Sequence, residues 1–157
     1  MFARVSEADF SQQALYDELC EHNQASQSGA VVTFTGRVRD YNTEGAIDGI
    51  ELEYYPGMTE SALRQLLEQA TARFKLTNAG IVHRVGRLPN QAQIVWVGTC
   101  AAHRQDAFSG ASYIMDMLKQ SVPIWKKEWA GDTSTWVAAK GTDSEAAMRW
   151  LTDDKDE

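Results

Sequence analysis

The stretch QIVWVGTCAAHRQDAFSGASYIMDMLKQSVPIWKKEW, residues 93–129, carries the reading of the fold. Gln93 to Cys100 is an apolar, β-branched run, the pattern of a central strand covered on both faces. From about Arg104 to Val122 apolar residues recur at helical spacing (Phe108, Ala111, Met115, Leu118, Val122), and Pro123 stops the helix. Ile124 to Trp129 then returns to a strand pattern, and the Gly131-Asp132 turn leads into a further strand, Thr135 to Ala138.

Upstream, Leu88-Pro89-Asn90 is a turn and Ile81 to Val85 a strand. Ala62, Leu63, Leu66, Leu67, Ala70 and Phe74 form one face of an amphipathic helix that follows the Pro56-Gly57 turn. Ile50, Leu52 and Tyr54 alternate with Glu51, Glu53 and Tyr55, as in a half-buried strand. Ala30 to Thr35 is a strand ending at Gly36, and Asn23 to Gly29 is a polar loop. Phe10, Ala14, Leu15 and Leu19 make a helical stripe through about Glu21, and Met1 to Val5 is a short strand. Strands and helices interleave, but the hairpin spacings near Pro89 and Gly131 point to a mixed or antiparallel sheet with flanking helices. The expected class is α+β, not a doubly wound parallel sheet.

The 157 residues suit one domain, residues 1–140, followed by an acidic C-terminal tail, residues 141–157, expected to be partly disordered. Net charge is −7, and the segment from Asp143 to Glu157 holds six acids against two bases. Such a balance argues against general binding to nucleic acid or anionic membranes, whose sequence-independent attraction is to cations. No apolar run approaches the roughly eighteen residues of a membrane span, and MFARVSEADF lacks a signal peptide's apolar segment. A cytoplasmic location is expected. Cys20 and Cys100 are far apart in sequence and read as small buried apolar residues. His22, His83 and His103 are equally scattered, so neither a metal site nor a cofactor is expected.

Within the body, cations fall in short runs: Arg37 and Arg39, Arg84 and Arg87, His103 and Arg104, Lys119, then Lys126 and Lys127. Solvated surface is the ordinary fate of such residues. Three runs stand where the chain leaves regular structure. Arg37 and Arg39 flank Val38 just past a strand, at a spacing that puts both on one face if the strand continues; a charged edge hairpin would look the same. His103 and Arg104 open the long helix, where free N–H groups and the dipole favour an anion and cations need another reason to be present. Lys119 points within roughly 20° of Phe108 and roughly 40° of Met115, at the rim of the apolar arc. There it either snorkels or, if desolvated, becomes usable in proton transfer. Lys126 and Lys127 alternate, so one faces a cleft while the other pairs with Glu128 or meets solvent. A site built from cations handles an anionic substrate, and no Ser/His/Asp order, P-loop or zinc motif competes with it.

FTGRVRD, EYYPGM, VHRVGRL, the AAHR junction and above all MLKQSVPIWKKEW make the chain resemble the catalytic (large) subunit family of molybdopterin synthase, from about Ser6 to Lys140. The resemblance implies an α/β hammerhead-type fold with an additional α+β region. It also implies a homodimer within a heterotetramer, each large subunit binding a small ubiquitin-like sulfur-carrier subunit. The carrier's C-terminal Gly-Gly thiocarboxylate delivers sulfur to cyclic pyranopterin monophosphate, and two transfers make the dithiolene of molybdopterin. By motif, Lys119 and Lys126 are the implied catalytic residues; Arg37, Val38, Arg39, His103, Arg104, Lys127 and Glu128 are the implied substrate-binding ones. Sulfur arriving on a carrier explains the absence of a catalytic cysteine. Two other readings remain at this stage: a non-catalytic docking module for a ubiquitin-like C-terminal tail, and a phosphoester enzyme acting without a carrier.

Overall fold

The computed structural model describes residues 1–21, 28–42, 44–138 and 141–152. In chain order the elements are β1 (Phe2–Ser6), α1 (Gln12–Glu21), β2 (Ala30–Arg37), β3 (Tyr41–Asn42), β4 (Gly45–Ala46), β5 (Gly49–Tyr54) and α2 (Met58–Phe74). They continue with β6 (Leu76–Arg84), β7 (Gly86–Pro89), β8 (Gln93–Ala101), α3 (Arg104–Ser121), β9 (Ile124–Ala130), β10 (Thr133–Val137) and α4 (Gly141–Thr152). One four-stranded sheet runs β1-β6-β8-β2, with β1 parallel to β6 and the other pairs antiparallel. A second, fully antiparallel sheet runs β10-β9-β5-β7, and β3 with β4 forms a small ribbon. The α+β expectation with mixed and antiparallel sheets holds.

The first sheet is covered on both faces, which explains the unbroken apolar run of β8. On one face Leu63, Leu66, Leu67 and Ala70 of α2 and Ala107, Ala111, Ile114 and Leu118 of α3 close over Ala79, Ile81, Val95 and Val97. On the other, Leu15 and Leu19 of α1 pack on Val82, Trp96 and Cys100. The second sheet has its own small cluster of Val38, Ile47, Ile50, Leu52, Val85 and Leu88. Burial of these side chains is the main favourable term holding the layers together.

α3 ends where Pro123 dictates: Val122 is already extended (φ −104°, ψ 126°), because a residue before proline avoids the helical region. Leu88 is no turn residue. It is a buried strand position opposite Ile50, and the turn falls at Asn90 to Ala92 after β7. The β6 strand begins five residues earlier than the apolar alternation suggested, since Lys75 takes a left-handed conformation and hands α2 directly to it.

The segment expected as a partly disordered tail is helical from Gly141 to Thr152. Counting its acids hides an aromatic anchor. Trp150 stands edge-on to Phe74 and Tyr113, each 5.5 Å between ring centres, and its indole N–H donates to Asp116 at 2.8 Å. Arg73 completes the attachment by donating to the Trp150 carbonyl at 2.7 Å. Residues 153–157 of that tail, most of the expected polar loop and His22 lie outside the described residues.

Gly80 and Gly98 face each other across β6 and β8, and the stacked rings of Phe2 and Trp96 lie over them. A Cβ at Gly98 would overlap the Trp96 ring and crowd Leu19. Gly98→Ala is therefore expected to lower unfolding free energy by about 1–3 kcal/mol, through overpacking of a fully buried aromatic. Urea denaturation followed by Trp fluorescence checks this, and an unchanged midpoint would show that the layer yields freely.

Candidate active site

β2 pairs with β8 to its end, but the register slips between Gly36 and Arg37. The next residue, Val38, is buried among the apolar side chains of the second sheet. Its N–H donates to the Ala92 carbonyl and its own carbonyl accepts from Gln91 N–H, both at 2.9 Å. Val38 is thus a pin between the two sheets, its backbone groups already satisfied, and it fixes the arginines on either side. Arg37 Nε donates to the Gln91 carbonyl at 2.9 Å, and the Arg39 guanidinium lies over the Tyr41 ring at 5.6 Å.

Beside this pin opens a cleft of about 530 Å³ between the sheets and α3. Arg37, Arg39, Lys119 and Lys126, from three separate stretches of chain, all line it. Lys119 is not the desolvated lysine that one sequence reading allowed. Its side chain keeps 54 % of its exposure, and Nζ lies 3.3 Å from Asp143 at the start of α4. Lys126 faces the cleft and its strand neighbour Lys127 turns away, as alternation requires. Lys127 pairs with Glu53 at 3.3 Å and covers the Trp136 ring at 4.2 Å, so of the two expected fates, a pair with Glu128 or a place in solvent, the first is not met and the second only in part. Glu128 instead accepts from Asn42 Nδ2 at 2.6 Å and lines a second cavity of about 630 Å³. The two cavities meet at Arg39, Val137 and Ala138.

His103 and Arg104 do not join the cleft of their own chain. His103 caps α3 with extended backbone and makes no side-chain capping bond, and both side chains are exposed. Arg84 and Arg87 are structural. Arg84 donates to the Gln93 and Glu7 carbonyls, and Arg87 stacks on Trp129 at 4.2 Å.

Sequence reasoning overlooked two groups in the cleft. The sequence places Asp143 in the acidic tail, with nothing to mark it as a cleft residue. His83 was one of three scattered histidines, yet alternation along IVHRVG places it on the face of Ile81, toward α3 and the cleft. Burial pushes its pKa from 6.5 down to about 4, the backbone contact to Arg84 only partly opposing this. The cysteines are free, and burial pushes the Cys100 thiol up to about 11, far from a reactive thiolate.

Residues 5–121 match the MoaE protein family. The chain belongs to that family. A molybdopterin synthase catalytic subunit from Vibrio cholerae is 43 % identical over 146 residues, 93 % of this chain and 95 % of the relative. The solved molybdopterin biosynthesis MoaE protein of Burkholderia ambifaria superposes with a TM-score of 0.79 at 42 % identity, covering 96 % of this chain and 98 % of that one. A Helicobacter pylori chain solved in a protein–protein complex of subunits 1 and 2 of molybdopterin-converting factor shares the fold. Its TM-score is 0.72 at 16 % identity, over 88 % of this chain and 91 % of that one. Family membership makes the cleft part of a molybdopterin synthase catalytic subunit, a sulfurtransferase of molybdenum cofactor biosynthesis. Among the described residues, no helix is long and apolar enough to cross a membrane, and no three His, Cys, Asp or Glu side chains converge as a metal site.

The buried His83 makes stability pH-dependent in a defined direction. Its folded pKa lies below its unfolded one, so the unfolded chain binds the extra proton between about pH 4 and 6.5. The stability of the neutral ring is complete above that window and is lost as pH falls through it, by roughly 3 kcal/mol in total. Urea unfolding from about pH 7 to 4 should show this loss in the native protein and a shallower one in His83→Gln; equal slopes would mean the ring takes up its proton in the folded state.

Proposed function

We propose that the cleft receives the C-terminal thiocarboxylate of a small ubiquitin-like carrier beside cyclic pyranopterin monophosphate and passes the carrier's sulfur to it. Two such transfers build the dithiolene of molybdopterin. The observation that carries this reading is the convergence of Arg37, Arg39, Lys119 and Lys126 on one cleft whose acidic lining, among the described residues, is Asp143. Phosphate, thiocarboxylate and the charge developing in transfer are all anionic, and donors fixed before reaction stabilise them without reorganising.

Arg39 holds the phosphate, helped by Arg37. Lys119 meets the thiocarboxylate, whose sulfur bonds to a side-chain carbon of the substrate as a C–O bond of that carbon breaks; water then cleaves the acyl–sulfur bond, leaving the sulfur on the substrate and releasing the carrier as a carboxylate, and a second charged carrier repeats the step. Lys126 stabilises the oxygen freed when the cyclic phosphate opens. Asp143 holds Lys119 until the incoming anion replaces it, an exchange of low cost because a half-exposed ion pair contributes only about 0–1 kcal/mol.

His103 and Arg104 enter this reading from a second copy of the chain. The outer edge of β2 is unpaired in its sheet, and Val31, Phe34 and Phe108 on β2 and α3 are exposed. Covering that face with its symmetry mate gives a homodimer and sets one copy's α3 N-terminus against the other's substrate. Lys127 and Glu128 hold β9 in register through Glu53 and Asn42, and Val38 orients the arginines; these three support the site without reaching into the cleft.

Dithiolene formation from purified thiocarboxylated carrier and substrate tests the function. Lys119→Ala is expected to lower turnover by on the order of a hundredfold or more, and undiminished turnover would remove the lysine from the mechanism. Arg104→Ala should weaken substrate binding and leave carrier binding unchanged. Mixed dimers of Lys119→Ala and Arg104→Ala chains should regain part of the activity, because one of the two shared sites is then intact; mixtures as inactive as their parents would place Arg104 outside the partner's site.

A further inference from the structure

The floor of the cleft holds an acceptor among donors. His83 is 5 % exposed, stands on the central strand β6 and lines the cleft together with Val95, its cross-strand partner on β8. Its Nδ1 lies 2.7 Å from the Arg84 carbonyl oxygen. That oxygen only accepts, so Nδ1 carries the hydrogen, and the neutral ring is left with its lone pair on Nε2. Among the described residues no hydrogen bond engages Nε2. The low pKa of about 4 keeps the ring uncharged at neutral pH, so this acceptor does not become another cation in the cleft.

The other ionisable groups of the cleft have a different chemistry. Arg37, Arg39, Lys119 and Lys126 are donors with positive charge, and the one carboxylate lining the cleft among the described residues, Asp143, lies against Lys119. The four cations select the phosphate and the thiocarboxylate but cannot accept from a neutral N–H, and the Asp143 carboxylate is engaged by Lys119 at the rim. An uncharged acceptor in the lining of such a cleft selects a ligand that brings an N–H of its own, because a donor placed there without a partner loses its bond to water and gains nothing.

We infer that His83 Nε2 accepts a hydrogen bond from a ring or amino N–H of the pterin, fixing which edge of the ring enters the cleft first and so which carbons face Lys119. This makes His83 a specificity-determining residue that acts on the bound substrate and not on the carrier. The inference rests on the pterin site proposed above.

His83→Phe keeps a flat ring and removes the acceptor, whereas His83→Gln offers an amide oxygen at about the reach of Nε2. In the dithiolene assay with thiocarboxylated carrier, His83→Phe should raise KM for cyclic pyranopterin monophosphate on the order of ten- to a hundredfold, leave KM for the carrier unchanged, and be largely rescued in His83→Gln. An unchanged substrate KM in His83→Phe overturns the inference, and so does an equal loss in both variants, which marks packing alone. Should His83→Phe not fold, nitrogen-15 histidine spectra of the native protein decide. Titration with cyclic pyranopterin monophosphate should move the Nε2 resonance upfield while Nδ1 stays, and an unmoved Nε2 overturns the assignment. Native protein that forms no dithiolene at all removes the pterin site and this inference with it, whereas native turnover with an indifferent His83→Phe removes only the role of His83.

Discussion

Four cations share one cleft, and the scaffold has to hold them there against their mutual repulsion. It does so by giving individual members a local restraint that leaves the charge in place. Arg37 is tied through one nitrogen to the Gln91 carbonyl, and Arg39 rests on the face of Tyr41. Lys119 leans on Asp143, while Lys126 is carried by a strand hydrogen-bonded on both sides, to β5 and to β10. None of these restraints consumes the whole donor capacity of its cation. The field in the cleft is therefore built before any ligand arrives, the condition under which fixed charges act most strongly on a reacting anion.

The restraints depend in turn on how the two sheets are joined. Val38 belongs by sequence to the end of β2 and by packing to the core of the second sheet, and its two backbone hydrogen bonds clamp the turn at Gln91 and Ala92. A residue at this point has to be apolar to fill the cluster and has to take the chain out of one sheet toward the other. Its arginine neighbours then leave the pin with their side chains in the cleft. Motif matching groups Val38 with the residues that touch substrate, but its physical contribution is to decide where Arg37 and Arg39 begin.

Much of this was legible in the sequence, for reasons that can be named. The β8 strand and the α3 helix carry strong single-period patterns, and Pro123 marks the end of α3 through a steric rule that needs no tertiary context. Arg39, Lys119 and Lys126 stood out because each interrupts or follows an apolar pattern. What stayed hidden was whatever depends on a partner distant in the chain. The β3–β4 ribbon is two residues a side, too short for any periodicity. α4 looked like a charged tail because its attachment comes from one tryptophan meeting Phe74 and Tyr113 some seventy and forty positions earlier. His83 stands inside the VHRVGRL motif without a role of its own, since its meaning comes from the four cations that the fold places around it.

The attachment of α4 is uneven, and that unevenness bears on access to the cleft. Its C-terminal half is held by two edge-on aromatic contacts, of Trp150 with Phe74 and with Tyr113, together with the bonds to Asp116 and Arg73. Its N-terminal turn is held at the cleft by the Asp143–Lys119 pair, whose lysine is half-exposed. Aromatic pairs of that kind contribute about 0.5–1.5 kcal/mol each beyond their burial, whereas a solvated ion pair contributes about 0–1 kcal/mol. The helix is thus fixed at the end remote from the cleft and lightly held at the end beside it. The same carboxylate therefore screens Lys119 through a contact far weaker than the aromatic anchor, so breaking that one ion pair leaves the attachment of the helix intact.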